Sequence, residues 1–306
     1  MKFVYSEKYL VDFGIHVFPT IKYKLIKERI LKEGIGKEED FVSPYLPKEN
    51  DLLILLDKEY LDDLKNLRWT ERTIYSELPL TKEIVEMFML ASSGTYIASE
   101  VALKEKVCYH IGGGFHHAFK NKAEGFCYIN DIAYAILKLK KEGKIKRAVV
   151  IDCDLHQGNG TARIFQGDKD VFTFSIHQQN LYPVKEKSDL DIGLPDFAGD
   201  ELYLEKMDYA LKIIKENLPF DLCIYQAGAD PYKEDKLGNL MLTKEGLIER
   251  DKKVAEFCKE NNIPVAITLG GGYSKNLNDL VDIHFNTAKV FYEVFWRKNE
   301  SLYLKK

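Results

Sequence analysis

Residues Arg147–Gly160 read RAVVIDCDLHQGNG, and the change of character within them decides the fold. Ala148, Val149, Val150 and Ile151 form a short apolar, β-branched run of the kind a parallel sheet covers on both faces. Asp152, Asp154 and His156 then follow at every second position. If extended backbone persists past Ile151, that period of two sends all three side chains to one side at the strand's carboxyl end. Open α/β sheets hold their ligands there. A lone Asp at this point would more simply cap the next helix. Two carboxylates and an imidazole in register make a metal site the leading reading.

Working outward, the same alternation of apolar run, polar loop and amphipathic stretch recurs. Strands are expected at residues 2–5, Val107–Ile111, Ala148–Asp152, Val171–Ile176, Asp221–Gln226 and Pro264–Leu269. Helices are expected at Lys22–Glu33, from Thr81 to about Lys104, from an Asn130 or Asp131 cap to Lys141, and at Asp200–Asn217, Thr243–Asn261 and Leu277–Trp296. Asp51–Leu56 is too short and apolar to assign to strand or helix. Strands alternating with helices predict a three-layer α/β fold, a mainly parallel sheet flanked by helices. With no linker-like break in 306 residues, a single domain over 1–306 is expected.

Composition removes several function classes. At 45% hydrophobic and 30% charged the chain is ordinary for a globular protein, and its net charge of −4 carries no nucleic-acid signature. The amino terminus, MKFVYSEKYL, lacks a signal-peptide core and no run approaches membrane-spanning length, so a cytoplasmic location is expected. Cys108, Cys127, Cys153, Cys223 and Cys258 show no CxxC spacing, and disulfides are not expected. Nothing in the sequence signals an oligomeric state.

The ends of the predicted strands carry the chemistry. Val107–Ile111 leads into GGGFHHAF with His116 and His117 adjacent, Asp221–Gln226 into AGAD with Asp230, and Pro264–Leu269 into GGGYS with Tyr273. Taken singly, each has a plain explanation: a satisfied polar histidine, a turn-capping aspartate, an exposed tyrosine. Neither GGG belongs to a spaced GxGxxG dinucleotide pattern, and no GxxxxGK[ST] phosphate loop is present.

In order and spacing, YHIGGGFHHAFKNKAEGFCYIND, VVIDCDLHQGNG, YQAGAD and LGGGYS resemble the metal-dependent histone deacetylases and their microbial relatives, including acetoin-utilisation proteins. HQGNG, GGGFHH and DKLGNLMLT look closest to the class IV branch, and the likeness runs from VYSEKY and IHVFP to the last helix. The resemblance implies the arginase-deacetylase fold and a catalytic Zn²⁺, with Fe²⁺ as the alternative metal, held by Asp154, His156 and Asp230. It implies that His116 and His117 are the tandem histidines and that Asp152 orients the first. Asn159 falls where class I members carry an Asp partnering the second. Gly125, Phe126, Tyr182 and Leu237 would line an acyl-lysine channel, and a potassium ion would sit near Asp152, Asp154, His156, Ser175 and Ile176.

The implied activity is removal of an acyl group, acetyl first, from an acylated lysine or small acylated amine. Metal-bound water attacks the amide carbonyl, His117 is general base, Tyr273 stabilises the oxyanion, and one of the paired histidines protonates the leaving amine. Acetylpolyamines and long-chain acyl-lysine are alternative substrates. A non-catalytic acyl-lysine reader is a different class, disfavoured by the intact Tyr273 and His117. A ureohydrolase-like reaction would need a second metal and more His/Asp ligands than this centre offers.

Overall fold

The computed structural model describes residues 1–296. Residues 297–306, which the expected 1–306 domain includes, lie outside the described residues. The strands are β1 (Lys2–Val4), β2 (Phe41–Val42), β3 (Val107–His110), β4 (Ala148–Asp152), β5 (Val171–Gln178), β6 (Leu190–Leu194), β7 (Leu222–Gln226) and β8 (Val265–Thr268). The helices are α1 (Ile21–Lys32), α2 (Glu49–Leu52), α3 (Lys58–Lys65), α4 (Lys82–Glu105), α5 (Asp131–Lys141), α6 (Asn159–Phe165), α7 (Asp200–Glu216), α8 (Lys244–Glu260) and α9 (Leu277–Trp296).

All strand pairings are parallel, in the order β2-β1-β3-β8-β7-β4-β5-β6. β3, β8, β7 and β4 lie side by side at the centre and every residue in them is buried. That is why their sequences are continuous apolar runs: helices cover both faces, so neither face has to be polar. α4, α5 and α6 pack in succession on one side, and α1, α9, α8 and α7 form a row on the other.

Local signals set the helix ends. Thr81 Oγ1 accepts from the Ile84 N–H, Asn130 Oδ1 from the Ala133 N–H and Thr243 Oγ1 from the Gly246 N–H, each satisfying an otherwise orphaned donor of the first turn. Among the described residues, no helix is long and apolar enough to cross a membrane.

Three expectations need amending. β5 continues two residues past Ile176 to Gln178, where it pairs with β6. β6 itself was not foreseen, because LDIGL alternates half-buried and exposed residues up to a buried Leu194 and contains a glycine, the composition of an edge strand. Asp51–Leu56 divides into the end of α2 and a turn.

Candidate active site

The topology places four chemistry-bearing loops at one edge of the sheet, at the carboxyl ends of β3, β8, β7 and β4. Asp154, His156 and Asp230 come from the β4 and β7 loops and are all buried, and they offer ligand atoms within 4.8 Å of one another. His156 Nδ1 faces both carboxylates, 3.3 Å from Asp154 Oδ1 and 3.3 Å from Asp230 Oδ2.

Backbone and amide donors orient the carboxylates. Asp154 Oδ2 accepts from Gln226 Nε2 at 2.7 Å and from the Gly271 N–H at 2.8 Å, while Asp230 Oδ1 accepts from the Leu155 N–H at 2.9 Å. Arg250, fully buried on α8, reaches both ligand loops from behind, donating to Gly228 O at 2.6 Å and Cys153 O at 3.3 Å.

These residues fit a divalent cation. Among the described residues, Asp230 Oδ2 is buried with no hydrogen-bond partner beyond the facing His156 Nδ1 at 3.3 Å, a costly state that a cation would relieve. Burial and the charge of Asp154 push the Asp230 carboxyl up, the strain expected of two carboxylates sharing a dry space. Glycine at residue 271 leaves the space beside the carboxylates open: a Cβ there would lie 2.2 Å from Asp230 Oδ2. One imidazole and two carboxylates with room for a further ligand is the donor set of a catalytic rather than a closed structural zinc site.

The tandem histidines sit beside this cluster. His116 Nδ1 is 2.7 Å from Asp152 Oδ2, and its Nε2 is 3.1 Å from His117 Nε2. Burial alone would lower the pKa of His116, but Asp152 and Asp154 outweigh it and raise it to about 9. His117 moves the other way, well below the ordinary imidazole value, through burial first and then His116 and His156. Its Nδ1 is 2.8 Å from Asn159 Oδ1. That hydrogen bond acts in the upward direction, and burial outweighs it.

Tyr273 leaves β8 through the second GGG and is buried, its ring 5.9 Å from those of Phe18 and Phe126. Burial, reinforced by Asp230 and Asp154, raises its pKa well above 10.0, so it remains a hydrogen-bond donor. Asp235 fixes the loop that carries it, accepting from the Tyr273 N–H at 2.6 Å.

A cavity of about 260 Å³ leads down to these groups, and Gly125, Phe126, Tyr182 and Leu237 line it together with His116, His117, Asp154, His156 and Tyr273. Asp152, Asn159 and Asp230 are not among the residues that line it; Asp152 and Asn159 meet it through His116 and His117, and Asp230 stands beside Asp154 and His156. Ser175 and Ile176 are buried in β5, where Ser175 is the register partner of Asp152 and its hydroxyl lies 3.0 Å from His177 Nδ1. Sequence reasoning missed Asp235, Gln226 and Arg250. Gln226 had a signal, being the polar residue that ends an apolar strand; the other two meet the site only through tertiary contact.

The histone deacetylase domain model matches residues 16–288. An uncharacterized protein of Picosynechococcus sp. is 36% identical over 88% of this chain and 90% of its own length. Histone deacetylase 2 of Arabidopsis thaliana is 30% identical over 89% of this chain and 74% of its own. Among solved structures, an HDAC homolog complexed with SAHA superposes with a TM-score of 0.82 over 97% of this chain and 84% of that one, at 24% identity.

Proposed function

This chain belongs to the histone deacetylase family, and we propose that it is a cation-dependent hydrolase that removes an acyl group, acetyl first, from an N-acyl amine such as acetyl-lysine. The observation that carries the proposal is the convergence of Asp154, His156 and Asp230, two of which line a cavity together with an imidazole pair and a phenol. Zn²⁺, or Fe²⁺ in its place, would be held by those three residues and would supply carbonyl polarisation and a more acidic water.

The chain's own groups do the rest. Phe126 and Tyr182 wall the cavity, with Gly125 and Leu237, and align a long, thin acylated side chain. His117 is neutral and takes the proton of the attacking water at Nε2. Tyr273 donates its phenolic hydrogen to the carbonyl oxygen as charge develops there, where donation costs no reorganisation. His116, kept cationic by Asp152, gives a proton to the departing amine. A potassium ion near Asp152, Asp154, His156, Ser175 and Ile176 belongs to the same proposal. So do a single domain over residues 1–306 and a cytoplasmic setting.

The test is a panel of acetylated and longer-acyl lysine peptides and acetylated polyamines, scored for released acid against cation content. Release that scales with bound cation supports the reading, and the preferred member of the panel names the substrate class. Stoichiometric cation with no acid released from any member would make the chain a binding protein instead.

A further inference from the structure

Glu124 stands immediately before the channel residues Gly125 and Phe126, and no role described so far uses it. Its side chain is largely buried, at 14% exposed, and Lys122 Nζ donates to its Oε2 at 2.6 Å. Its other oxygen, Oε1, accepts from Asn159 Nδ2 at 2.8 Å. The backbone holding it is pinned from two sides. Glu124 and Cys127 exchange hydrogen bonds in a tight bridge, and the N–H groups of Gly125 and Phe126 donate to Tyr75 O and Ser76 O.

A carboxylate paired with a lysine offers acceptors and no donor, so the nitrogen of the Asn159 amide must face Glu124. Its oxygen then necessarily faces His117. A carbonyl oxygen only accepts, which forces the hydrogen of a neutral His117 onto Nδ1 and leaves the lone pair on Nε2, the nitrogen that faces His116 and the cavity. We infer that Glu124 is a positioning residue: through the Asn159 amide it fixes His117 in the one neutral tautomer that can accept a proton from water. The Nε2–H of a cationic His116 favours the same tautomer from the other side, whereas an unanchored amide could flip, present its nitrogen to His117 and oppose it, populating the form whose Nε2 carries a hydrogen and cannot act as base. The inference rests on the reading of His117 as general base, and the experiment separates the two.

The full chain, labelled with ¹⁵N at histidine, is examined with and without added Zn²⁺, and kcat and KM are measured on an acetyl-lysine peptide. The parental protein should give a pyrrole-like signal for His117 Nδ1 and a pyridine-like signal for Nε2. Glu124→Gln has one acceptor oxygen, which serves Asn159 once the partly exposed Lys122 turns to solvent, so both the signals and kcat should be retained. Glu124→Leu should mix the tautomer signals and lower kcat on the order of tenfold with KM little changed, a fraction of what a positioned base contributes. Parental signals and parental kcat in Glu124→Leu would overturn the inference.

Should Glu124→Leu not fold, Asn159→Asp provides the second route, because it sets two carboxylates against each other. It should lose activity and regain it when Glu124→Gln is added; no recovery would also overturn the inference. His117→Ala addresses the premise alone: parental turnover there would remove His117 as base, whatever the Glu124 variants do.

Discussion

Gly114→Ala should separate the catalytic loops without removing a catalytic side chain. Gly114 has φ +87°, and a Cβ on it would lie 2.5 Å from Gly270 N and 2.6 Å from Gly270 Cα. Those are backbone atoms of the neighbouring GGG, and they cannot rotate aside. The two loops are already joined, with Leu269 N–H donating to Gly112 O at 3.1 Å and Gly270 N–H to Gly113 O at 3.2 Å. Restoring ordinary contact means opening 2.5 Å to at least 3.4 Å, a displacement of about 1 Å between the loop bearing His117 and the loop bearing Tyr273. The positive φ adds a backbone cost of about 1–2 kcal/mol for any L-residue.

A misplacement of this size costs on the order of a hundredfold in rate. The three cation ligands come from the β4 and β7 loops, so cation content should hold. The assay is kcat and KM on an acetyl-lysine peptide, with metal analysis and urea denaturation of the same preparation. Parental kcat in a folded Gly114→Ala protein would refute the claim that the two glycine loops set the distance between base and phenol.

Tyr273→Phe should keep its cation and its fold but lose about 10²–10³-fold in kcat, the usual cost of one oxyanion donor; unchanged turnover would remove the phenol from the mechanism. Stability should fall on acidification, because burial holds His110 and His177 neutral with pKa values of about 3 against 6.5. A histidine whose folded value is depressed contributes stability present above pH 6.5 and lost as pH falls toward 3, so moving from pH 6.5 to 5 should cost about 2 kcal/mol for each group. Urea midpoints across that range check this, and a flat profile would contradict the buried neutral state. Arg250→Met leaves the Gly228 and Cys153 carbonyls without their shared donor and Asp251 without its ion pair, and should cost about 3–5 kcal/mol. A loss below 1 kcal/mol in the same urea titration would show that the clamp carries little.

How far the sequence could be read depended on how local each signal was. The runs ending at Asp152, Gln226 and Leu269 announce central strands because burial on both faces demands continuous apolar sequence, and β4 begins and ends where that argument puts it. β6 escaped because an edge strand alternates and tolerates Gly193. In the site, Asp154 and His156 could be seen together because they share one segment, although the extended backbone that the period of two relies on ends at Asp152. Asp230 stands 75 residues from Leu155, whose N–H orients it, and Asp235 38 residues from the Tyr273 N–H it receives. No spacing rule encodes such pairings; the strand-end reading put Asp230 and Tyr273 at the same edge of the sheet, and the motif resemblance drew them into one site. Glu124 had neither kind of signal: its meaning lies in an amide 35 residues away.

Zn²⁺ titration and metal analysis of the folded parental chain, Asp154→Ala and Asp230→Ala decide whether these residues hold a cation. The account predicts one tightly held Zn²⁺ per parental chain and none in either variant. Full zinc content in both folded variants would contradict it.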